Sequence, residues 1–340
     1  MIKAEKQFYL FGMGDREKYI YKNRALTRYR DNKIIYAWNK SYDEKFIFDE
    51  YTVILTKNSG ERVVLRENED GFFVNDKCLT ASKINLPNFS EYKYSKQLKI
   101  LHHEVLINII DGKPVPNFFV YKKPWYRDSA MMGMVLKFTD NLHLIKDWIL
   151  SLNELYDTNN AGNCEPDNLG QLLYLISLVS DKSHPLISQA ISEAKRITEN
   201  GLLTGLTDFN DHRIYSTLWM IYGLNCLGIE NDFLTIPKEF DSYARMFWMD
   251  KTMVETETEY INEYNDFYPY LWWAVMHFEN EDVDEKYFDY SYPMSWEQEA
   301  SQAKYEDIRG LSESYADNKF SAPHTWHASE MFLYLIEMEK

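Results

Sequence analysis

Residues 1 to about 95 alternate apolar and polar positions in short runs. Segments 8–11, 33–38, 51–55 and 62–65 are rich in β-branched and aromatic residues, and turn signals such as Asn58-Ser59-Gly60 and Glu69-Asp70-Gly71 separate them. Such runs predict strands and hairpins, here a small antiparallel β region. From about residue 96 the period becomes helical. Over 184–199, Ile187, Ala190, Ile191, Ala194 and Ile197 fall on one stripe with polar residues opposite, which predicts a surface helix with one buried side. Segments 169–179 and 271–278 are apolar almost all round, the pattern of helices enclosed on every side.

Alternating enclosed and one-sided helices suggest an inner and an outer ring. Inner helices would start near residues 128, 166, 211, 266, 295 and 325, with outer partners near 97–110, 143–156, 184–199 and 235–249. The expected fold is therefore mainly α: an (α/α)6 six-hairpin toroid over residues 96–340, forming the catalytic domain, with a small N-terminal antiparallel β region over residues 1–95. An irregular α-helical domain is the competing architecture.

Each expected inner start carries a cluster of aromatic, acidic and amide residues. These are Trp125-Tyr126-Arg127-Asp128, Glu165-Pro166-Asp167-Asn168, Asp211-His212-Arg213, Asn265-Asp266-Phe267-Tyr268, Ser295-Trp296-Glu297 and His324-Thr325-Trp326-His327. Successive clusters lie roughly 30 to 55 residues apart, about two helices with their loops. Gathered at one end of a core, they would make a cleft of carboxylates and indoles. The 26 Tyr and 9 Trp can be core filler, or rings that stack on sugar faces.

A net charge of −16 with no concentrated Lys/Arg stripe disfavours nucleic acid, which is gripped through its phosphates. It also disfavours anionic lipid and polyanionic substrates, so a neutral carbohydrate substrate fits better. Cys78, Cys164 and Cys226 are far apart and odd in number, with no disulfide pattern. The first residues lack the apolar stretch of a signal peptide, and no run reaches the ~20 residues of a membrane span. A cytoplasmic location is expected. No cofactor is implied: Phe11-Gly12-Met13-Gly14 lacks the third glycine of a dinucleotide fingerprint, and there is no P-loop. No metal is expected either, because His324 and His327 have no HExxH-type partners.

Segment 125–130, Trp-Tyr-Arg-Asp-Ser-Ala, resembles the W-x-R-D-[SG]-A segment of glucoamylases and related six-hairpin glycosidases. In order along the chain, 165–170 is similar to that family's Q-x-D-G-x-G stretch. Leu311-Ser312-Glu313-Ser314 resembles its L-P-E-Q segment, and 323–328 its closing T-W-S-H-A helix. The resemblance covers roughly residues 120–340. It implies that Asp128 binds sugar hydroxyls beside the cleaved bond and that Glu313 is the general base. One departure stands out. The family's general acid is a glutamate, and segment 205–211 contains none, so Asp208 or Asp211 must serve, or another residue such as Glu165, or hydrolysis of the family type is absent.

Inverting glycosidases need two carboxyl groups about 6.5–9.5 Å apart, one protonated and one ionised. Acids at helix starts also cap free N–H groups, an equal reading for Asp211 and Asp266. Asp128 could pair with Arg127, whereas Glu313 reads as a loop carboxylate with no capping pattern. The expected sugar-binding set is Trp125, Tyr126, Arg127, Asp128, Asp167, Asn168, Tyr268, Trp296, Glu297, His324, Trp326 and His327. The expected function is a glycoside hydrolase acting with inversion. The alternatives are an epimerase, isomerase or lyase acting on sugars, or a sugar-binding protein without chemistry.

Overall fold

A computed structural model describes residues 6–236, 295–300 and 302–337. Its N-terminal strands pair strictly with their sequence neighbours. β1 (Phe8–Phe11), β2 (Tyr19–Lys22), β3 (Ala25–Arg28) and β4 (Lys33–Ala37) form one antiparallel sheet in that order. A second antiparallel sheet runs β5 (Tyr42–Ile47), β6 (Thr52–Lys57), β7 (Arg62–Glu67), β8 (Gly71–Val74), β9 (Lys77–Ala81). β7 shows why: Val63, Leu65 and Glu67 face inward while Arg62 and Arg66 face out, the period-2 pattern of a sheet covered on one side.

β1 is buried on both faces. Tyr9 and Phe11 enter the main core, and Phe8 and Leu10 enter a smaller one. The turn after β1 is locked electrostatically. Glu67 accepts hydrogen bonds from the backbone N–H of Gly12 (2.9 Å) and Met13 (2.7 Å) and from the buried Arg16 guanidinium (3.0 Å). The Lys18 ammonium donates to the carbonyls of Gly12 and Gly14, while burial pulls its pKa down to about 7. Gly12 is required there: its φ is +105°, and a Cβ would lie 2.4 Å from the Glu17 carbonyl oxygen.

The helices are α1 (Ser95–Ile107), α2 (Tyr126–Phe138), α3 (Lys146–Leu150), α4 (Asp167–Val179), α5 (Pro185–Ile197) and α6 (Arg213–Cys226), followed by α7 (Tyr305–Leu311), α8 (Glu313–Asp317) and α9 (Thr325–Glu337). Two-residue ladders, β10 (Ile109–Ile110) with β11 (Lys113–Pro114) and β12 (Thr198–Glu199) with β13 (Leu202–Leu203), close loops. β14 (Trp296–Gln298) pairs with β15 (Phe320–Pro323). α9 packs between α1 and α2, α2 against α4, and α4 against α6. The main core runs without a break from Tyr9 and Phe72 in the sheets to Leu101, Leu136, Leu172 and Phe332 in the helices.

This corrects the expectation of a mainly α (α/α)6 toroid behind a small β region. Nine strands in two antiparallel sheets stand beside the helices, so the described chain is mixed α and β. Several strands escaped the sequence pattern because they are four to six residues long and carry charges, as in β5 (YDEKFI) and β3 (ALTR). Two expected outer helices also differ. The 143–156 stretch yields only the five-residue α3, and α1 is enclosed rather than peripheral. Burial pushes its His102 and His103 down to about 3, so both are neutral; His103 Nε2 donates to the Leu10 carbonyl (2.8 Å). The expected inner start at 295 is strand β14, held by its ladder with β15. The helices expected near 235–249 and 266 lie outside the described residues.

Candidate functional site

The first turns of α2, α4 and α9 converge, and the turn before α6 joins them. Trp125 precedes α2 in an extended conformation, and the free N–H of Tyr126 is capped from outside the helix by the Asp157 carboxylate (2.7 Å). Asp157 also accepts from the Asn159 N–H (2.9 Å), and its own N–H donates to Asn168 Oδ1 (3.1 Å). Asn159 Nδ2 donates to the Pro124 carbonyl (2.6 Å). Loop 157–165 is thus sewn to the starts of both α2 and α4. Burial pushes the Asp157 carboxyl up.

Arg127 is the centre of the site. Its Nε donates to Asp167 Oδ2 (3.0 Å) and its Nη2 to Glu165 Oε2 (3.1 Å), with all three side chains buried. The Trp326 ring lies over the guanidinium, 6.0 Å from centroid to carbon. Glu165 Oε1 accepts from Asn160 Nδ2 (3.0 Å) and from the Asp208 backbone N–H. Asp167 accepts from Gln171 Nε2 (2.8 Å) and from the Thr207 hydroxyl (3.2 Å). Thr207 in turn meets the Ser216 hydroxyl (3.1 Å), and Gln171 reaches the Tyr215 hydroxyl (3.4 Å). Burial pushes Glu165 up and Asp167 adds to this, while Arg127 pulls it back.

Asp128 faces the start of α9. The Thr325 hydroxyl donates to Asp128 Oδ1 (3.3 Å), and His324 Nδ1 lies 3.7 Å from the same oxygen. Burial pushes this carboxyl up to about 7, against the pull of Arg127, the Thr325 hydroxyl and the Trp326 backbone N–H. The His324 and His327 rings are 4.8 Å apart. Tyr121 packs against Trp125 (5.8 Å) and edge-on to His324 (6.2 Å). Tyr121, Trp125 and Trp326 are half-buried, giving the cluster a partly exposed aromatic border.

Arg127, Asp128, Glu165, Asp167, His324, Trp326 and His327 therefore come together, with Trp125 at the border. Tyr126 and Asn168 are nearby but occupied with the backbone: the Tyr126 hydroxyl donates to the Glu154 carbonyl (2.9 Å), and Asn168 holds Asp157. Asp208 contributes its N–H, and Asn160 Nδ2 lies 3.5 Å from its carboxylate.

Other expected residues lie elsewhere. Asp211 is exposed and paired with Arg213 (2.9 Å). Glu313 is not in a loop; it is the exposed first residue of α8, where the Ser312 hydroxyl accepts from the Tyr315 N–H (3.3 Å). Its charge acts on Lys22, and among the described residues no hydrogen bond or ion pair ties it to Arg127 or Asp128. Trp296 is buried in the smaller core, edge-on to Phe8 (5.5 Å) and Tyr315 (4.8 Å), with no face to offer a ligand. Glu297 belongs to β14, but its side chain lies outside the described residues, as does Tyr268.

No site role was expected of Asn160, Gln171, Thr207, Tyr215 or Ser216. Gln171 had a signal, since it sits four residues after Asp167 on the same side of α4. Among the described residues no group of three or more His, Cys, Asp or Glu side chains could hold a metal ion, and no helix is long and apolar enough to cross a membrane. No protein-family model matches the chain, and neither a curated protein nor a solved structure matches it.

Proposed function

We propose that the chain is a glycoside hydrolase acting on a neutral glycan, with the Arg127 cluster as its sugar site. The observation that carries this reading is the juxtaposition of two kinds of carboxyl. Burial pushes the Asp128 carboxyl up to about 7, while Glu165 accepts hydrogen bonds on both oxygens from donors that suit its ionised form. A carboxyl that keeps its proton near neutral pH suits the general acid, and a held carboxylate suits the base. Asp128 gives its proton to the glycosidic oxygen as the C–O bond breaks. Water attacks the anomeric carbon from the opposite face and loses a proton to Glu165, so one water adds and the configuration inverts. The Asp167–Arg127 pair positions hydroxyls, and Trp125, Tyr121 and Trp326 present ring faces. The exposed Glu313 has no part in this scheme.

The test is release of reducing sugar from a panel of neutral glycans. Asp128→Asn should lower kcat by about 10²–10⁴-fold. Activity should fall as pH rises through about 7, because the acid then loses its proton. Wild-type protein that turns over no glycan, or an Asp128→Asn variant at full rate, sinks the reading. The Asp128–His324 approach favours one second reading, a proton-transferring epimerase or isomerase. Deuterium incorporated into a sugar C–H bond from D2O, without release of reducing ends, would select it.

A further inference from the structure

The turn that gives its N–H to Glu165 carries a ring the fold does not use. Thr207 and Asn210 exchange both backbone hydrogen bonds (2.9 and 3.1 Å), leaving Asp208 and Phe209 at the tip with φ of 50° and 64°. Positive φ at both central residues is the pattern of a type I′ turn, whose second position is normally glycine because a side chain there is crowded. Here that position holds a phenyl ring that is 60% exposed, and Leu206 beside the turn is 56% exposed. Tyr51 and Phe89, the other aromatic residues with positive φ among the described ones, have their rings buried, whereas a ring left in solvent offsets none of the strain.

The turn is also fixed to the site at two points. The Thr207 hydroxyl donates to Asp167, and the Asp208 N–H donates to Glu165. Phe209 is therefore the next residue beyond a direct contact with one of the proposed reacting groups. A residue that is strained, exposed and tethered to the site in this way is placed for something outside the fold.

We infer that Phe209 is the platform for a second sugar unit, stacking on its apolar face while the first unit occupies the Arg127 cluster. Leu206 broadens the apolar surface. The unit is neutral, because the carboxylate of Asp208, the neighbouring residue at the tip of the turn, disfavours an anionic sugar. Phe209 would thus determine specificity for chain length. This inference rests on the proposed sugar site.

The test compares neutral gluco-, galacto- and manno-disaccharides with their monosaccharides by calorimetry on the full chain. Wild type should bind a disaccharide about tenfold more tightly than its monosaccharide, and Phe209→Ala should lose about fivefold to tenfold on the disaccharide alone. Phe209→Tyr should restore it. Phe209→Gly should lose the same affinity at an unchanged or higher Tm, because it relieves the positive φ. A lower Tm in the glycine variant would mean that the ring packs on the fold, and would overturn the inference. So would disaccharide binding by Phe209→Ala that equals wild type while Asp128→Asn weakens both ligands; the sugar site would then stand. If wild type binds neither class, the sugar site and the platform both fail.

Discussion

Asp128 and Glu165 are both buried beside Arg127, yet their surroundings differ. Glu165 collects donors from the Arg127 guanidinium, Asn160 and the turn, whereas Asp128 has the Thr325 hydroxyl and the backbone N–H groups of its own residue and Trp326. That difference gives a stability prediction. The folded pKa of Asp128, about 7, lies above the 3.8 of an exposed carboxyl, so the folded chain holds this proton more tightly between those values. The contribution is full below the unfolded pKa and is lost as pH rises towards 7. Asp128→Asn cannot ionise and should escape this loss, worth up to about 4 kcal/mol above pH 7. Urea unfolding at pH 5 and pH 8 checks it: the variant should gain on wild type at the higher pH. An equal difference at both would contradict the burial argument. At this scale Arg127, Asp128, Glu165 and Asp167 were legible because they stand in short dense motifs. Glu313 misled, because a five-residue helix leaves too short a periodic trace to reveal that Ser312 caps it.

α4 and α6 touch backbone to backbone. A Cβ on Gly170 would sit 2.2 Å from the Trp219 carbonyl carbon, and one on Gly223 would sit 2.5 Å from the Gly170 carbonyl oxygen. Since α4 carries Asp167 and Gln171 and α6 carries Tyr215 and Ser216, this close approach sets the spacing of the hydrogen bonds around Asp167. Gly170→Ala should cost about 3 kcal/mol, or fail to fold, since both neighbours are backbone and cannot step aside. Gly310→Ala is the control: nothing lies within 4 Å of its Cβ position in α7, and it should be neutral or gain up to about 1 kcal/mol. Equal effects on Tm would show that the helices can separate. Helix pattern was readable where one side is polar, as in α5, and the start of α4 was marked by its cluster. The backbone contact was not, because glycine spacing within each helix says nothing about which other helix it meets. Strands β1, β4, β6 and β7 were readable from their apolar runs, whereas β2, β3, β5, β8 and β9 are defined mainly by ladder partners.

The sheets and the helices share one core, and that ties the site to residues far from it. Tyr9 contacts His103 (5.0 Å), the Gly14 N–H donates to the Leu106 carbonyl (2.9 Å), and the Asn141 side chain bonds both the N–H and the carbonyl of Asn85, whose own side chain donates to the Thr139 carbonyl (2.9 Å). α1 therefore lies between β1 and α9, whose first turn holds Asp128 through Thr325. The junction expected near residue 95 falls at the start of α1, yet the apolar surface does not divide there. A strand residue should consequently control the stability of the helices. Phe11 is fully buried and stacks on Phe72 at 4.2 Å. Phe11→Ala should cost about 3–5 kcal/mol. Urea unfolding followed by far-UV circular dichroism, which weights the helices, and by near-UV signals from the β-region rings should give one coincident transition, shifted equally by the substitution. Two separate transitions, with the helical one unmoved by Phe11→Ala, would show that the helices fold without the sheets and that the site does not depend on them.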